Sequence, residues 1–253
     1  MKALVFAAGL GTRLRPVTDT IPKALVPVGG KPLLYHVVSK LKTAGIDRIV
    51  INVHHFPDSV IGYVREQDGF GIDVRFSDER DCLLDTGGGI LFARKLLEGS
   101  PFLVHNVDII SDLDIRWFIS QARPDALASL VVSERKTRRY LLFDDDMRLV
   151  GWTDTATGEV RSPYPGLDPG TCRKYAFAGI HFISDSIFGV FDEDGWEGKF
   201  PIMDFYLEEC ARHPVYGIVP PELTLIDAGK PETLAQAEEF LRNPINYQVY
   251  GKV

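Results

Sequence analysis

Short apolar runs alternate with amphipathic segments along the first half of the chain. The apolar runs, each typical of a buried strand, are ALVFAA, RIVINV, IDVRF and PFLVHNVD. Between these runs, apolar side chains recur at helical spacing, which predicts helices over Pro32 to Ala44, Pro57 to Glu66 and Gly89 to Leu97. Alternating strands and helices predict an α/β fold with a largely parallel sheet.

From about Leu127 the pattern changes to strands and loops. The apolar runs there are ALASLVVS, YLLFD, MRLVGWT and FAGIHFIS. No linker precedes them, so we interpret this region as a small β-rich insertion over the sheet that forms one wall of a pocket. The chain is therefore expected to be one domain over residues 1–253. Its fold class is a Rossmann-like, mostly parallel mixed sheet flanked by helices, divided into halves at residues 1–125 and 126–253.

Composition restricts the partners. Asp and Glu total 35 against 28 Lys and Arg, and no basic block occurs, so no nucleic-acid partner is expected. Apolar runs stay below membrane-spanning length, so no membrane partner is expected either. Cys82, Cys172 and Cys210 lack any C-x-x-C spacing, which predicts reduced thiols and a cytoplasmic location.

A glycine turn follows the first strand in AAGLGTRL. Gly9 and Gly11 let the backbone approach a ligand and direct N–H groups toward an anion, although a simple chain reversal would need the same glycines. Arg13 adds a planar fork suited to phosphate. Leu14 replaces the third glycine of a dinucleotide fingerprint, and Thr12 replaces the lysine of a Walker loop. An NAD-dependent oxidoreductase and a Walker-type nucleotidase are therefore disfavoured.

Two aspartates end apolar runs. Asp108 closes PFLVHNVD and Asp227 closes LTLID, and open α/β sheets bind ligands at the carboxyl ends of their strands. Mg²⁺ takes one or two carboxylates together with substrate phosphates, so these residues are candidate Mg²⁺ ligands. Asp is also common in turns and helix caps, which remains the alternative. Asp112 and Asp114 fit a cap of the helix DIRWFISQA better than a metal site.

The string from Gly9 to Pro32 is more specific than any glycine pair. It reads G-L-G-T-R-L-R-P-x-T, then P-K-A-L-x-P-V and G-K-P-L, and it resembles the signature of the sugar-1-phosphate nucleotidyltransferase family. The resemblance implies that a loop wraps a nucleoside triphosphate with Ala8, Gly9, Gly11 and Thr12. It also implies two catalytic cations, namely Arg13 on the outgoing phosphates and Lys23 on the reacting ones.

The segment LLDTGGGI resembles the family's base-reading T-A/G-G segment. This resemblance places Thr86, Gly87 and Gly88 against the nucleotide, while a glycine-rich helix entry is the alternative. The departure Cys82-Leu83-Leu84-Asp85, where some uridylyl-transferring relatives carry Glu-Pro-Leu-Glu, leaves the base open.

The sugar side is implied by two further segments. FAGIHFIS resembles the family's sugar-facing strand and points to Gly179, and Asn106 before the metal aspartate is the second sugar candidate. The family pair of metal aspartates corresponds to Asp108 and Asp227. The family's Glu-Lys-Pro segment, whose lysine holds the sugar phosphate, is not recognisable, and Lys174 or Lys199 are candidates to replace it.

The resemblance implies nucleotidyl transfer from a nucleoside triphosphate to a sugar 1-phosphate with Mg²⁺, by a monomer or homodimer. Residues 1–125 are then the nucleotide-binding half and residues 126–253 the sugar-binding half. The compact length and the T-G-G-G-I string are most similar to N-acetylmuramate-1-phosphate uridylyltransferases and mannose-1-phosphate guanylyltransferases. A non-catalytic regulatory protein that binds nucleotide sugars is the alternative. Retention of Arg13, Lys23, Asp108 and Asp227 disfavours it, because a pure sensor need not keep metal ligands.

Overall fold

The computed structural model describes residues 1–243; residues 244–253, the end of the predicted domain 1–253, lie outside the described residues. The strands are β1 (Lys2–Phe6), β2 (Pro27–Val28), β3 (Lys31–Pro32), β4 (Arg48–Val53), β5 (Asp73–Asp78), β6 (Phe102–Asn106), β7 (Ile109–Ser111), β8 (Ala128–Ser133), β9 (Arg139–Phe143), β10 (Leu149–Asp154), β11 (Glu159–Arg161), β12 (Arg173–Ile183), β13 (Val215–Ile218) and β14 (Leu225–Asp227). The helices are α1 (Leu33–Thr43), α2 (Pro57–Glu66), α3 (Asp85–Phe92), α4 (Arg94–Leu97), α5 (Ile115–Ser120), α6 (Ile187–Glu193), α7 (Ile202–Glu209) and α8 (Pro231–Arg242). Short 3₁₀ turns cover Thr12–Leu14, Val17–Asp19, Lys23–Leu25 and Asp68–Gly71.

Within residues 1–243, ten strands form one mixed sheet. Strands β5, β4, β1 and β6 lie side by side and are parallel. Strand β12 joins β6 antiparallel, and β8 lies on the other side of β12. The predicted α/β fold with a mostly parallel mixed sheet flanked by helices is confirmed.

The β-rich insertion differs from the prediction in one respect. It is not a layer over the sheet, because β9 pairs with Arg173–Tyr175 at the start of β12, and β10 and β11 follow outward. The long strand β12 is the cause: its first residues pair with β9 while Ile180–Ile183 pair with β6. The insertion therefore extends the edge of the same sheet.

Both faces of the sheet are covered by apolar cores. Along β6, Leu103 belongs to the core under α1 and α5, and Val104 belongs to the core under α6 and α7, since successive strand side chains point to opposite faces. This two-sided burial explains why the central strands are continuous apolar runs. No helix in the described part of the chain is long and apolar enough to cross a bilayer.

The end of the chain returns to its beginning. Strand β14 pairs antiparallel with β7, so that Asp227 lies opposite Ile109, and Ala228 and Leu241 join the core of the first half. Part of the segment 126–253 therefore packs with the first half, and the division into functional halves at residue 125 stays a prediction.

Glycines 87–89 lie inside a helix, whereas the sequence analysis places the helix start at Gly89. Helix α3 begins at Asp85 because the segment of Gly198 and Phe200 packs directly on it. The N–H groups of Gly87 and Gly88 donate to the Phe200 carbonyl at 2.9 and 3.2 Å. A Cβ at Gly87 would lie 2.2 Å from Phe200 Cε2, and one at Gly88 would lie 2.2 Å from the Gly198 carbonyl oxygen.

A buried lysine on α1 holds the end of β7, the strand that pairs with β14. Lys40 of α1 is 2% exposed and donates to the Ser111 carbonyl at the end of β7. Burial lowers the pKa of Lys40 from its ordinary value to about 7, even though the nearby Asp112 and Asp114 act in the opposite direction.

We expect Gly88→Ala to lower the free energy of unfolding by about 1–3 kcal/mol, since the new methyl meets backbone that no rotamer change can move. Gly62→Ala in the middle of α2 is the matched control, because nothing lies within 4 Å of its Cβ position; it should gain about 0.5–1 kcal/mol. Urea denaturation measures both. Equal effects of the two variants would contradict the packing argument.

The Lys40 environment predicts a pH dependence of stability. Because the folded-state pKa is depressed, the unfolded chain binds more protons between the folded pKa of about 7 and the ordinary 10.5, so stability rises with pH in that window. Lys40→Met removes this dependence. From pH 7.5 to 9.5 wild type should therefore gain roughly 2 kcal/mol relative to the variant. Parallel urea-stability curves for the two proteins would show that Lys40 titrates normally.

Candidate active site

A cleft of about 340 Å³ opens at the carboxyl edge of the parallel strands. Its lining comprises Phe6, Ala8, Gly9, Arg13, Lys23, Asn52, Glu79, Leu83, Asp85, Thr86, Asn106 and Asp108. The ends of β1, β4, β5 and β6 all contribute, because parallel neighbours end at one edge. The register aligns Phe6 with both Asn52 and Asn106. Seven residues selected from the sequence therefore face one cavity.

Four charged residues meet beside this cleft, and we call Arg13, Lys23, Asp108 and Asp227 the charge cluster. Lys23 Nζ donates to Asp108 Oδ2. Arg13 bridges the two carboxylates, with Nη2 3.7 Å from Asp108 Oδ2 and Nη1 3.1 Å from Asp227 Oδ2. The Arg13 side chain is 50% exposed, whereas that of Asp108 is 10% exposed, so the guanidinium is accessible to a ligand in the cleft.

Gly229 lets the backbone lie directly against the two carboxylates. A Cβ there would lie 2.6 Å from Asp108 Oδ2, 2.9 Å from Asp227 Oδ1 and 2.9 Å from Arg13 Nη2. Burial favours a raised pKa for Asp227, but the Gly229 N–H donated at 3.0 Å and the Arg13 charge outweigh it, and the pKa is lowered. Two carboxylates that converge on one point are a donor set that suits a hard divalent cation.

The glycine turn positions Lys23. Gly11 has φ +65°, and a Cβ there would lie 2.8 Å from Thr18 Cγ2 and 3.1 Å from Lys23 Cβ. The Thr18 hydroxyl donates to the Gly11 carbonyl at 2.8 Å. Gly11 therefore lets the loop fold tightly against the segment that carries Lys23. Gly11 and Thr12 form this turn beside the cleft and do not belong to its lining.

Asn52 and Glu79 are site residues that the sequence analysis missed. Asn52 Oδ1 accepts from the N–H groups of Ala7 and Ala8 at 2.7 and 3.2 Å, and its Nδ2 donates to Glu79 Oε1 at 2.9 Å. Burial raises the pKa of Glu79, and the Asn52 hydrogen bond opposes that shift. The available signal was a single polar side chain near the end of the apolar run RIVINV.

The predicted base segment divides into two parts. Thr86, together with Asp85, lines the cleft. Gly87 and Gly88 do not: their N–H groups are bonded to Phe200, and residues 198–200 fill the space at their Cα atoms. Packing within the protein accounts for these glycines, and their placement against the nucleotide stays a prediction. Gly89 in turn leaves room for Glu79, whose Oε1 would be 3.0 Å from a Cβ.

The two sugar candidates touch each other. Asn106 lines the cleft, and Gly179 lies directly behind it with φ +74°, where a Cβ would come within 2.8 Å of Asn106 Nδ2. Gly179 lies where the register of β12 shifts between Phe177 and His181. The bulge thus brings β12 against the Asn106 side chain.

Comparison with known proteins finds similar sequences and folds. The sequence model of the nucleotidyl transferase family matches residues 2–141. The chain is 35% identical over 246 residues to the N-acetylmuramate alpha-1-phosphate uridylyltransferase of Caulobacter vibrioides. The matched region covers 94% of this chain and 96% of that relative. It is 40% identical over 115 residues to the mannose-1-phosphate guanyltransferase of Aspergillus oryzae, covering 44% of this chain and 31% of that protein.

Solved structures share the fold. HddC from Yersinia pseudotuberculosis, in a complex with GMP-PN, superimposes with a TM-score of 0.74 at 28% identity, covering 94% of this chain and 98% of HddC. The inositol-1-phosphate CTP transferase from T. maritima has a TM-score of 0.73 at 15% identity, covering 99% and 95% of the two chains. The second similarity concerns the fold alone.

The close approach of Gly229 to both carboxylates gives a testable expectation. Gly229→Ala should weaken divalent-metal binding about tenfold or more, because the methyl displaces both carboxylates. Mn²⁺ titration followed by electron paramagnetic resonance measures this directly. Gly189→Ala in α6, with nothing within 4 Å of its Cβ position, is the control and should bind normally. Unchanged Mn²⁺ affinity in Gly229→Ala would show that the metal lies elsewhere.

Proposed function

The chain belongs to the nucleotidyl transferase family, and we propose that it transfers the uridylyl group of UTP to N-acetylmuramate α-1-phosphate. Transfer of a nucleotidyl group to a sugar 1-phosphate is the reaction of its relatives and of this chain. The choice of UTP and N-acetylmuramate is supported by a similarity that spans both halves of the chain. The guanyltransferase similarity is limited to less than half of it.

The observation that carries the proposal is the charge cluster at the rim of the cleft. Arg13 and Lys23 come from the glycine loop, and Asp108 and Asp227 come from β6 and β14. Two polyanionic substrates need neutralisation by fixed cations, and two carboxylates suit a divalent metal. A regulatory protein would need only the binding surface.

In the proposed reaction, a phosphate oxygen of the sugar 1-phosphate attacks the α-phosphorus of UTP. The new bond is P–O, the bond to the bridging oxygen breaks, and pyrophosphate leaves with that oxygen and its electron pair. The attacking oxygen is already an anion, so the cleft requires no general base. The work of the protein is to align two anions that repel each other and to stabilise the charge that develops in the transition state.

Lys23 and Arg13 supply this stabilisation differently. The Lys23 side chain is 14% exposed and lies against Asp108, so it is held as a point charge in a partly dry environment where electrostatic effects are large. Arg13 is more exposed, and its planar fork can bind the departing phosphates in two places. The tight turn at Gly11 sets the distance between these two cations.

We propose Mg²⁺ as the metal, held by Asp108 and Asp227. When bound, it would supply charge neutralisation and alignment of the phosphates. The carboxylates now pair with Arg13 and Lys23. A metal–triphosphate complex carries both signs of charge, so both cations can turn to phosphate oxygens without leaving a carboxylate unpaired.

Asn52 and Glu79 would support the nucleotide end. By binding the N–H groups of Ala7 and Ala8, Asn52 fixes the start of the loop that contains Gly9. Glu79 accepts from the Leu84 N–H at 3.3 Å and so ties β5 to the segment before Thr86. Both walls of the proposed nucleotide site therefore depend on one buried pair.

A cytoplasmic location is proposed as well. Cys82, Cys172 and Cys210 are all free thiols, as expected in a reducing compartment that also supplies nucleoside triphosphates. A monomer or homodimer stays a prediction that light scattering during gel filtration would decide.

The function is tested by pyrophosphate release across a grid of nucleoside triphosphates and sugar 1-phosphates, with Mg²⁺ or a chelator. UTP with N-acetylmuramate 1-phosphate should give the highest kcat/KM, and chelation should abolish it. Lys23→Ala should lower kcat about 10²-fold or more. Lys95→Ala on α4 removes an exposed lysine and should leave kcat unchanged.

Three results would count against this assignment. If GTP and mannose 1-phosphate were the best pair, the proposed substrates would be wrong and the reaction class would stand. If activity were retained in the presence of chelator, the proposed metal requirement would be wrong. A blank grid, with UDP-N-acetylmuramate still binding in a calorimeter, would support the regulatory protein instead.

A further inference from the structure

The sugar side of the cleft lacks an assigned cation. Arg13 and Lys23 both lie at the β1 and β6 end, where the triphosphate is proposed to bind. The second substrate is itself an anion through its 1-phosphate, and an N-acetylmuramate carries a carboxylate as well. We propose that Arg135 binds an oxyanion of the sugar 1-phosphate substrate, an inference that rests on the function proposed above.

The sheet places Arg135 at the same edge as the charge cluster. Strand β8 is antiparallel to β12, and β12 is antiparallel to β6, so β8 and β6 end at the same edge. Asp108 follows β6 by two residues, and Arg135 follows β8 by two residues. Only β12 separates these strands, so the strands lie about 10 Å apart at ordinary strand spacing. Strand β8 reaches further along β12 than β6 does, because Ser133 pairs with Ala176 whereas His105 pairs with Ile180.

One hydrogen bond holds Arg135 over the bulge of β12. Its Nη2 donates to the Phe177 carbonyl at 3.1 Å. Phe177 lies two residues before Gly179, which packs against Asn106 in the cleft lining. The guanidinium is thus attached to the wall that borders the sugar candidates. The Phe177 carbonyl accepts from only one of the five N–H donors of Arg135 and does not neutralise its positive charge.

Most neighbouring arginines of the insertion pair with a carboxylate, and Arg135 does not. Asp154 pairs with Arg138 and Arg139, Asp204 with Arg161, and Asp145 with Arg173, whereas Arg148 is turned away to the carbonyls of Cys210 and Ala211. Among the described residues, Arg135 has no ion pair with a carboxylate. A solvent-exposed Arg held in place by backbone and without an acidic partner is suited to an incoming oxyanion, because its fork matches phosphate and carboxylate geometry.

The two lysines proposed from the sequence lie in other places. Lys174 stands opposite Leu142 on β9, within the insertion. Lys199 precedes Phe200, whose carbonyl accepts from Gly87 and Gly88, so it lies beside α3 on the nucleotide side of the cleft. Neither lysine lies at the bulge that carries Gly179. Both are included in the test as competing cations.

The experiment measures KM for each substrate and kcat for wild type, Arg135→Ala, Arg135→Lys, Lys174→Ala and Lys199→Ala. Arg135→Ala should raise KM for the sugar 1-phosphate about tenfold or more, with KM for UTP unchanged, since a charged hydrogen bond to that substrate is lost. Arg135→Lys should recover part of the affinity. Arg65→Ala, an exposed arginine on α2, controls for the loss of one positive charge.

Two sugar substrates show whether Arg135 binds the phosphate or the carboxylate. N-acetylmuramate 1-phosphate and N-acetylglucosamine 1-phosphate share the phosphate, but only the first has a carboxylate. Calorimetry measures the affinity of both for wild type and Arg135→Ala. Equal losses identify the phosphate as the partner of Arg135, whereas a loss confined to N-acetylmuramate 1-phosphate identifies the carboxylate.

Unchanged affinity of Arg135→Ala for both sugars would overturn the inference, as would a loss found in Lys174→Ala or Lys199→Ala instead. Failure of the proposed function would give a different result, because the wild-type protein would then convert no combination of nucleoside triphosphate and sugar 1-phosphate. In that case the same calorimetric comparison still decides whether Arg135 binds the anion. Melting curves of each variant exclude a folding defect.

Discussion

The ion pairs that join Arg13 and Lys23 to Asp108 and Asp227 are the constraint on which the rest of the structure depends. Asp108 is mostly buried, and burying a carboxylate costs free energy unless cations and hydrogen bonds surround it. The partners come from distant parts of the chain: Arg13 and Asp227 are 214 residues apart, and Lys23 and Asp108 are 85 apart. Only a parallel pairing of β1 with β6 and the return of β14 to β7 bring these four residues together.

Several glycines of the site are explained by side chains that pack directly against their backbone, which a sequence motif does not reveal. At Gly11, Gly89 and Gly229 an added Cβ would meet Lys23, Glu79 and Asp108, respectively. Each glycine therefore sets the position of a polar or charged side chain at the site. Gly87 and Gly88 serve a different purpose, since they let residues 198–200 pack onto α3. The side of the cleft formed by α3 therefore rests on the apolar core under α6 and α7, although residues 198–200 are more than 100 positions away in the sequence.

Local patterns were sufficient to predict most strands and the charged residues. Runs buried on both faces are readable as strands, and Asp108 and Asp227 were identifiable because each closes such a run. The Asn52–Glu79 pair was not predictable, because its meaning depends on the parallel register of β4 with β5 and on the Ala7 and Ala8 amides. The start of α3 was misplaced for a related reason: helix propensity disfavours three glycines, and only the packing of Phe200 overrides it.

The insertion extends the sheet that carries the charge cluster. Strand β12 pairs with β6 at one end and with β9 at the other, so residues beyond the bulge are attached to the same rigid frame as Asp108. A cation placed at the end of β8 is therefore fixed relative to Asp108. In the proposed function, the phosphate chemistry belongs to β1, β6 and β14, and the sugar side belongs to β12 and the end of β8. An exchange at the end of β8 would therefore change the sugar side and leave the four-residue charge cluster intact.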